Sequence, residues 1–334
     1  MARRRSDLPD EANDHFDGQR FYNPWQPRRS RRFGLWRWLL RPRGAGWPKH
    51  EPSQTAPVVP PPTRSQAPRV TWLGHATVLV QIAGINLISD PIRARWAGPL
   101  PGLGIRRHRP PTLDWSELPP IDVVLVSHAH YDHLDRSTIS ALIERDDPQI
   151  VAGLGLADWL ARRGSQRATT LDWWQHTAVA DNHVRVTAVP AQHWSRRGLF
   201  DRNRSLWLGF WVTAGDTSVY IAGDSGYGPH FSWIRERLGE PDVAVLPIGA
   251  YEPRAWMAGQ HMNPAEAVAA HRDLKARRSM GMHFATYRLT DEAYDAPIRD
   301  LAAARQDQGL AEDDFIAPAF GQSLDLAARA SDAA

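Results

Sequence analysis

At 334 residues, with 42% hydrophobic content and a formal net charge of +3, the chain can bury a full core as one large domain or two smaller ones. It has no cysteine, which excludes disulfides, thiolate metal sites, iron–sulfur clusters and a cysteine nucleophile, so any metal must sit on histidine and carboxylate. No apolar run approaches the roughly 18 residues of a spanning helix and no signal-peptide core follows the basic start, so the chain reads as cytoplasmic.

Positive charge is concentrated at one end: residues 1–50 hold 12 Lys/Arg against 5 Asp/Glu, so this region is +7 and the remainder −4. Within it, residues 28–43 read RRSRRFGLWRWLLRPR, where seven arginines and no acids interleave with Phe33, Leu35, Trp36, Trp38, Leu39 and Leu40. Arginine for anionic phosphate and tryptophan for the headgroup boundary make the pattern of a peripheral segment on the inner face of a membrane. The alternative is a basic arm whose aromatics dock on the protein's own core. No motif supports a nucleic-acid partner. From Pro48 to Pro68 there are seven prolines in 21 residues, which favours extended backbone in a linker or wrapping arm. The expected organisation is an extension over residues 1–68, a main domain over 69–326 and a tail over 327–334.

Beyond the arm, short apolar runs predict strands over Arg69 to Leu73, Thr77 to Ile82, Ile85 to Ser89, Val123 to Ser127, Val184 to Val189, Leu206 to Thr213, Ser218 to Ala222 and Val243 to Leu246. Helical spacing runs through Ser137 to Arg145, Leu156 to Arg163, Phe231 to Leu238, Ala265 to Ala276 and Glu292 to Ala304. Asn263-Pro264-Ala265-Glu266 supplies an N-cap, a first-turn proline and a capping-box acid. Strands and helices alternate throughout, the pattern of an α/β domain.

The chemistry sits at strand ends. Directly after Ile121 to Ser127 comes His128-Ala129-His130-Tyr131-Asp132-His133, four potential ligands in six residues. A tight loop there can aim His128 and His130 at one ion while Asp132 and His133 turn toward a second, and neutral imidazole and carboxylate are what Zn²⁺ accepts when thiolate is absent. His193, Asp224 and His283 each follow a strand-like run in the same way. Two zinc ions need about three protein ligands each plus a shared group, a count these seven residues meet with one bridging carboxylate. His75 and Asp90 read as residues that orient ligands, and Asp135 as a helix-start carboxylate.

The run Ser127-His128-Ala129-His130-Tyr131-Asp132-His133-Leu134-Asp135 resembles the metallo-β-lactamase superfamily, whose hydrolases share it whatever their substrate. Narrower phrases resemble, within it, the phospholipases D that hydrolyse N-acyl-phosphatidylethanolamine. They are Trp72 to Thr77, Gln192 to Arg197, Ala222 to Tyr227, Pro247 to Arg254, Gln260 to Pro264, and His15 to Gly18 with Asn23-Pro24. The resemblance covers about Arg69 to Leu324. It implies a four-layer αββα sandwich with one zinc on His128, His130 and His193, another on Asp132, His133 and His283, and Asp224 bridging. It also implies a phosphodiesterase of phospholipase D type that releases N-acylethanolamine and phosphatidic acid through a hydroxide held between the ions, with Asp132 and Asp224 as catalytic carboxylates. Tyr131 and His261 are expected to contact the substrate. Another hydrolase on the same scaffold, a lactonase or a soluble phosphodiesterase, is the alternative. The expected partners are a phospholipid substrate, a membrane surface through residues 28–43 and a second copy in a homodimer.

Overall fold

The computed structural model describes residues 13–26, 46–48, 58–181 and 183–326. The arm at 28–43 and the tail at 327–334 lie outside the described residues.

Two seven-stranded sheets carry the fold. The first contains β1 (Arg69–Gly74), β2 (Thr77–Ile82), β3 (Ile85–Ser89), β6 (Val123–Val126), β7 (Gln149–Gly153), β8 (Ala168–Leu171) and β16 (Ser323–Asp325), in the order β16-β1-β2-β3-β6-β7-β8. The second contains β9 (His176–Val179), β10 (Val184–Val189), β11 (Gly209–Ala214), β12 (Thr217–Ile221), β13 (Val243–Pro247), β14 (Arg278–Met282) and β15 (Phe315–Ile316), ordered β15-β14-β13-β12-β11-β10-β9. A separate hairpin pairs β4 (Trp96–Leu100) with β5 (Leu103–Arg106).

The layers follow from strand alternation. Successive side chains point to opposite faces, so Val78, Val80, Leu87, Val123 and Leu125 enter the core shared with the second sheet. Their neighbours Leu79, Ile88, Val124 and Val126 pack instead on Ile139, Leu142 and Leu160 of α1 (Arg136–Asp146) and α2 (Ala157–Ala161). Strands buried on both faces need continuous apolar runs, which is why these were legible without alternation. The outer face of the second sheet is covered by α3 (His230–Leu238), α5 (Pro264–Leu274) and α6 (Ala296–Asp307), with the short α4 (Arg254–Met257) before α5. Two sheets flanked by helices make the αββα sandwich that the sequence led us to expect.

Two element starts differ most from expectation. The run Leu206 to Thr213 becomes a strand only from Gly209, because the Leu206 and Leu208 amides donate to the Leu154 and Ser127 carbonyls of the other sheet. The last long helix starts at Ala296 rather than Glu292, since Pro297 suits the first turn and the Glu292 side chain is occupied by the Ala250 and Glu252 amides.

Parts of the expected extension are packed on this body. Phe16 and Phe21 are buried with ring centroids 4.7 Å apart, and His15 stacks on Trp173 at 4.4 Å. Asn23 Nδ2 donates to the Ala191 carbonyl and Trp25 Nε1 to Gln192 Oε1, bracing the loop that leaves β10. Residues 62–65 give the Pro62 and Thr63 carbonyls to Gln81 and Asn86, and that of Ser65 to Gly84.

Candidate metal centre

Strand direction brings the candidate ligands together. β12, β13 and β14 are parallel, and β10 runs the same way through two antiparallel steps. The chain therefore leaves β10, β12 and β14 at one edge, toward His193, Asp224 and His283. In the first sheet β3 and β6 are parallel and β1 shares their direction, so His75, Asp90 and the 128–133 loop emerge together. Sites in such sheets lie beyond the carboxyl ends of strands.

The backbone turns sharply there. His75, Asp90 and His283 are each the first residue after a strand and take left-handed φ values of 54°, 40° and 65°. That region costs a non-glycine residue about 1–2 kcal/mol, strain that proteins keep where a side chain must be aimed. Gly249 makes room for one of these turns: a Cβ there would lie 2.2 Å from the His283 carbonyl oxygen.

Two groups of ligand atoms result, each lying within 4.8 Å of one another: His128, His130, His193 and Asp224, and His75, Asp132, His133 and His283. Asp224 sits between them, with Oδ2 3.1 Å from His133 Nε2, 3.7 Å from His193 Nε2 and 3.9 Å from His128 Nε2, and Oδ1 3.2 Å from His283 Nε2. All seven residues expected to bind metal converge, and His75 joins them. Its Nε2 donates to Asp132 Oδ2 at 2.9 Å, which is the orienting contact expected of it.

Hydrogen bonds behind the ligands set their tautomers. Asp90 accepts from the Ser127 amide, from Ser127 Oγ and from His133 Nδ1 at 2.8 Å. Ser127 Oγ, its proton given to Asp90, accepts from His128 Nδ1. The Gln260 carbonyl accepts from His193 Nδ1 at 2.9 Å. His128 and His193 therefore both point an Nε2 lone pair inward, at 2.7 and 3.3 Å from His130 Nδ1. Such backing is what holds histidine for a metal. Asp90 was anticipated; Ser127 and the Gln260 carbonyl were not, since a serine beside a histidine and a backbone oxygen 67 residues away carry no sequence signal.

Charge and proton counting test the fit to a cation. Burial, reinforced by neighbouring histidines, drops His128 well below the ordinary imidazole value and His130 to about 3, while burial brings His193 to about 4. Burial alone would raise the two carboxyls. For both Asp132 and Asp224 the charge and hydrogen bond of His133 outweigh it and hold them well below the carboxylate range. Burial would likewise lower His133, but Asp224, Asp132 and Asp90 hold a proton on it. His130 Nε2, His261 Nδ1 and His283 Nδ1 are buried without a hydrogen-bond partner. Inward lone pairs facing one another across anionic carboxylates fit divalent cations bound by nitrogen and oxygen.

The expected substrate residues are placed differently. His261 is buried with Nδ1 4.0 Å from Asp224 Oδ2, in the third group of ligand atoms with Asp224 and His283. Tyr131 is half-buried: its hydroxyl donates to the Arg197 carbonyl at 2.7 Å and the Arg197 guanidinium covers its ring. Its polar tip thus serves the loop after His193. Asp135 caps α1 by accepting from the Ser137 and Thr138 amides, as expected of a helix-start carboxylate.

Residues 91–284 match the family described as beta-lactamase superfamily domain. The N-acyl-phosphatidylethanolamine-hydrolyzing phospholipase D 1 of Caenorhabditis elegans is 39% identical over 75% of this chain and 74% of its own. The mitochondrial N-acyl-phosphatidylethanolamine-hydrolyzing phospholipase D of Saccharomyces cerevisiae is 33% identical over 69% of this chain and 50% of its own. Among solved structures, a metallo hydrolase from the archaeon Ignicoccus hospitalis matches 79% of this chain and all of its own, with TM-score 0.60 and 20% identity, a likeness of fold. The chain belongs to the metallo-β-lactamase superfamily, as a metal-dependent hydrolase of its αββα fold.

Proposed function

We propose that the protein is a zinc-dependent phosphodiesterase of phospholipase D type, acting on N-acyl-phosphatidylethanolamine-like lipids to release N-acylethanolamine and phosphatidic acid. The observation that carries this reading is the 39% identity, across three quarters of the chain, to a relative named for that hydrolysis. The His/Asp centre supports it, because nitrogen and carboxylate donors in two adjoining groups suit two zinc ions. In this reading His128, His130 and His193 hold one ion, Asp132, His133 and His283 the other, and Asp224 both.

Zinc bound there supplies Lewis-acid charge to a phosphodiester oxygen and lowers the pKa of water. The protein's own part is orientation and charge. Asp90, Ser127 and the Gln260 carbonyl lock the imidazoles before substrate arrives, so little reorganisation remains for the reaction. Asp132 and Asp224 stay ionised throughout the neutral range. His261, neutral and with Nδ1 unpartnered, offers a hydrogen-bonding nitrogen at the inner wall for a phosphate oxygen.

Residues 28–43 supply membrane contact in this reading, on the inner face, and the protein acts as a homodimer. No helix among the described residues is long and apolar enough to cross a membrane. The test is an activity screen of the zinc-loaded protein against N-acyl-phosphatidylethanolamine, a soluble phosphodiester and a lactone, with metal analysis on the same preparation. About two zinc equivalents and preference for the lipid are expected. Turnover of the lactone alone would overturn the substrate, and metal content near zero with no rescue by Zn²⁺ would overturn the centre.

A further inference from the structure

Large apolar side chains on the described surface are few, and their placement is uneven. Five are more than half exposed, and four of them cluster on two segments attached to the metal centre: Leu199 (78%) and Phe200 (85%), and Leu100 (62%) and Leu103 (58%). The first pair tips the loop that follows His193. The second tips the β4–β5 hairpin, whose base joins the other flank of the centre: Arg107 bridges to Tyr287, and the Tyr287 ring lies 5.0 Å from His75.

The exposure of Leu199 and Phe200 is built in. Asp201 Oδ1 accepts from the Arg197 and Gly198 amides, the Asn203 amide donates to the Ser195 carbonyl, and Arg196 Nε donates to the Gly198 carbonyl. A loop closed this tightly holds its two apolar side chains outward. At its base Trp194 lies edge-on to His130 at 4.3 Å, and the Arg202 guanidinium covers Trp194 at 4.1 Å. The tips are thus mechanically continuous with the ligands.

Charge identifies the partner. Residues 92–113 contain five arginines and no acid, and residues 194–204 contain four arginines and one aspartate. These two segments carry +8, whereas the rest of residues 51–334 carries −12. Arg95, Arg106 and Arg202 are the exposed arginines of these segments, and apolar tips beside exposed arginines on an otherwise acidic body complement a surface that is apolar below and anionic above. We propose that the 196–202 loop and the β4–β5 hairpin form a two-pronged docking surface for an anionic phospholipid bilayer, seating the metal centre against the lipid headgroups. The proposal rests on the phospholipid reading for its purpose and adds a contact separate from residues 28–43.

The absence of cysteine makes a direct test simple. F200C, L103C and, as a remote control on α6, I298C each create one thiol in the full, zinc-loaded chain, to be labelled with a polarity-sensitive nitrobenzoxadiazole dye. On phosphatidylcholine vesicles containing about 30% phosphatidylglycerol, emission at 200 and 103 should rise about threefold and be quenched by spin-labelled acyl chains. Emission at 298 should not change, and high salt should reduce the response. The unlabelled variant L100S/L103S/L199S/F200S should sediment with these vesicles about tenfold more weakly than the wild type. Vesicle binding with silent probes at 200 and 103, or an equal response at 298, would overturn the proposal, as would a response to an acidic soluble protein and not to lipid. Docking at both tips without hydrolysis of N-acyl-phosphatidylethanolamine would sustain this surface while overturning the substrate.

Discussion

Asp90 is buried, and its three hydrogen bonds make it the support for both ligand groups, directly through His133 and through Ser127 to His128. Removing one charge from such a support typically costs about 10–100-fold in metal affinity. Asp90→Asn should therefore retain the fold but need about that much more Zn²⁺ for half-loading, measured by competition with a chromophoric chelator; unchanged affinity would refute the support role. Gly249 is the corresponding packing constraint. Gly249→Ala places a methyl group against the His283 backbone, and overpacking of this kind costs about 1–3 kcal/mol. Urea unfolding should show the loss. The bridging assignment predicts that Asp224→Asn lowers turnover more than His261→Ala, because Asp224 lies between both groups with its oxygens 3.1 and 3.2 Å from His133 and His283, whereas His261 stands 4.0 Å from Asp224. Equal turnover of Asp224→Asn and wild type, with both metals bound, would refute it.

The N-terminal strap of residues 13–26 carries its own pH dependence. His15 is buried, which alone would lower its pKa, but hydrogen bonds to Asp172 and Asp14 outweigh burial and raise it. A group raised in the folded state contributes its full stabilisation below its unfolded pKa of about 6.5 and loses it as pH climbs through the raised value. Amide exchange over residues 13–26, corrected for intrinsic rates, should therefore be better protected at about pH 6 than at about pH 9. Asp172→Asn should flatten that difference.

Elements also differed in how openly the sequence declared them. β2, β3, β10 and α5 match their expected spans closely, because continuous apolar runs or a complete capping box left one reading. β8 and β9 went unseen: ATTL and HTAV are short, partly exposed and at the sheet ends, so neither period nor burial marks them. The ligand loop was legible because its four donors are adjacent. Of the tautomer-setting oxygens Asp90 was legible, but the Ser127 hydroxyl and the Gln260 carbonyl were not, since their roles depend on contacts with Asp90 and His193 made by tertiary packing.

At the scale of the whole molecule, ligands from both sheets mean that bound metal should fasten the two layers together. If the centre is loaded at about 1,000 times its dissociation constant, metal contributes about 4 kcal/mol. For a chain of this size that corresponds to roughly 6 °C in melting temperature. Calorimetry with and without a chelator, followed by Zn²⁺ readdition, should show this shift and its reversal. A melting curve indifferent to chelation would mean that the two sheets are held by apolar packing alone.

The strand order carries a consequence for how the protein is made. β16, the last of the described strands, pairs with β1, the first of them, through Arg69 with Asp325, Val70 with Leu324 and Thr71 with Ser323. While the chain is being synthesised, β1 must wait with one side unpaired until some 250 further residues have left the ribosome. An exposed edge with buried-type side chains such as Val70 and Trp72 invites pairing with another chain. A stop codon just before Ser323 would leave that edge open permanently while sparing every candidate metal ligand, so such a truncation should express as aggregate rather than as a soluble enzyme of reduced activity.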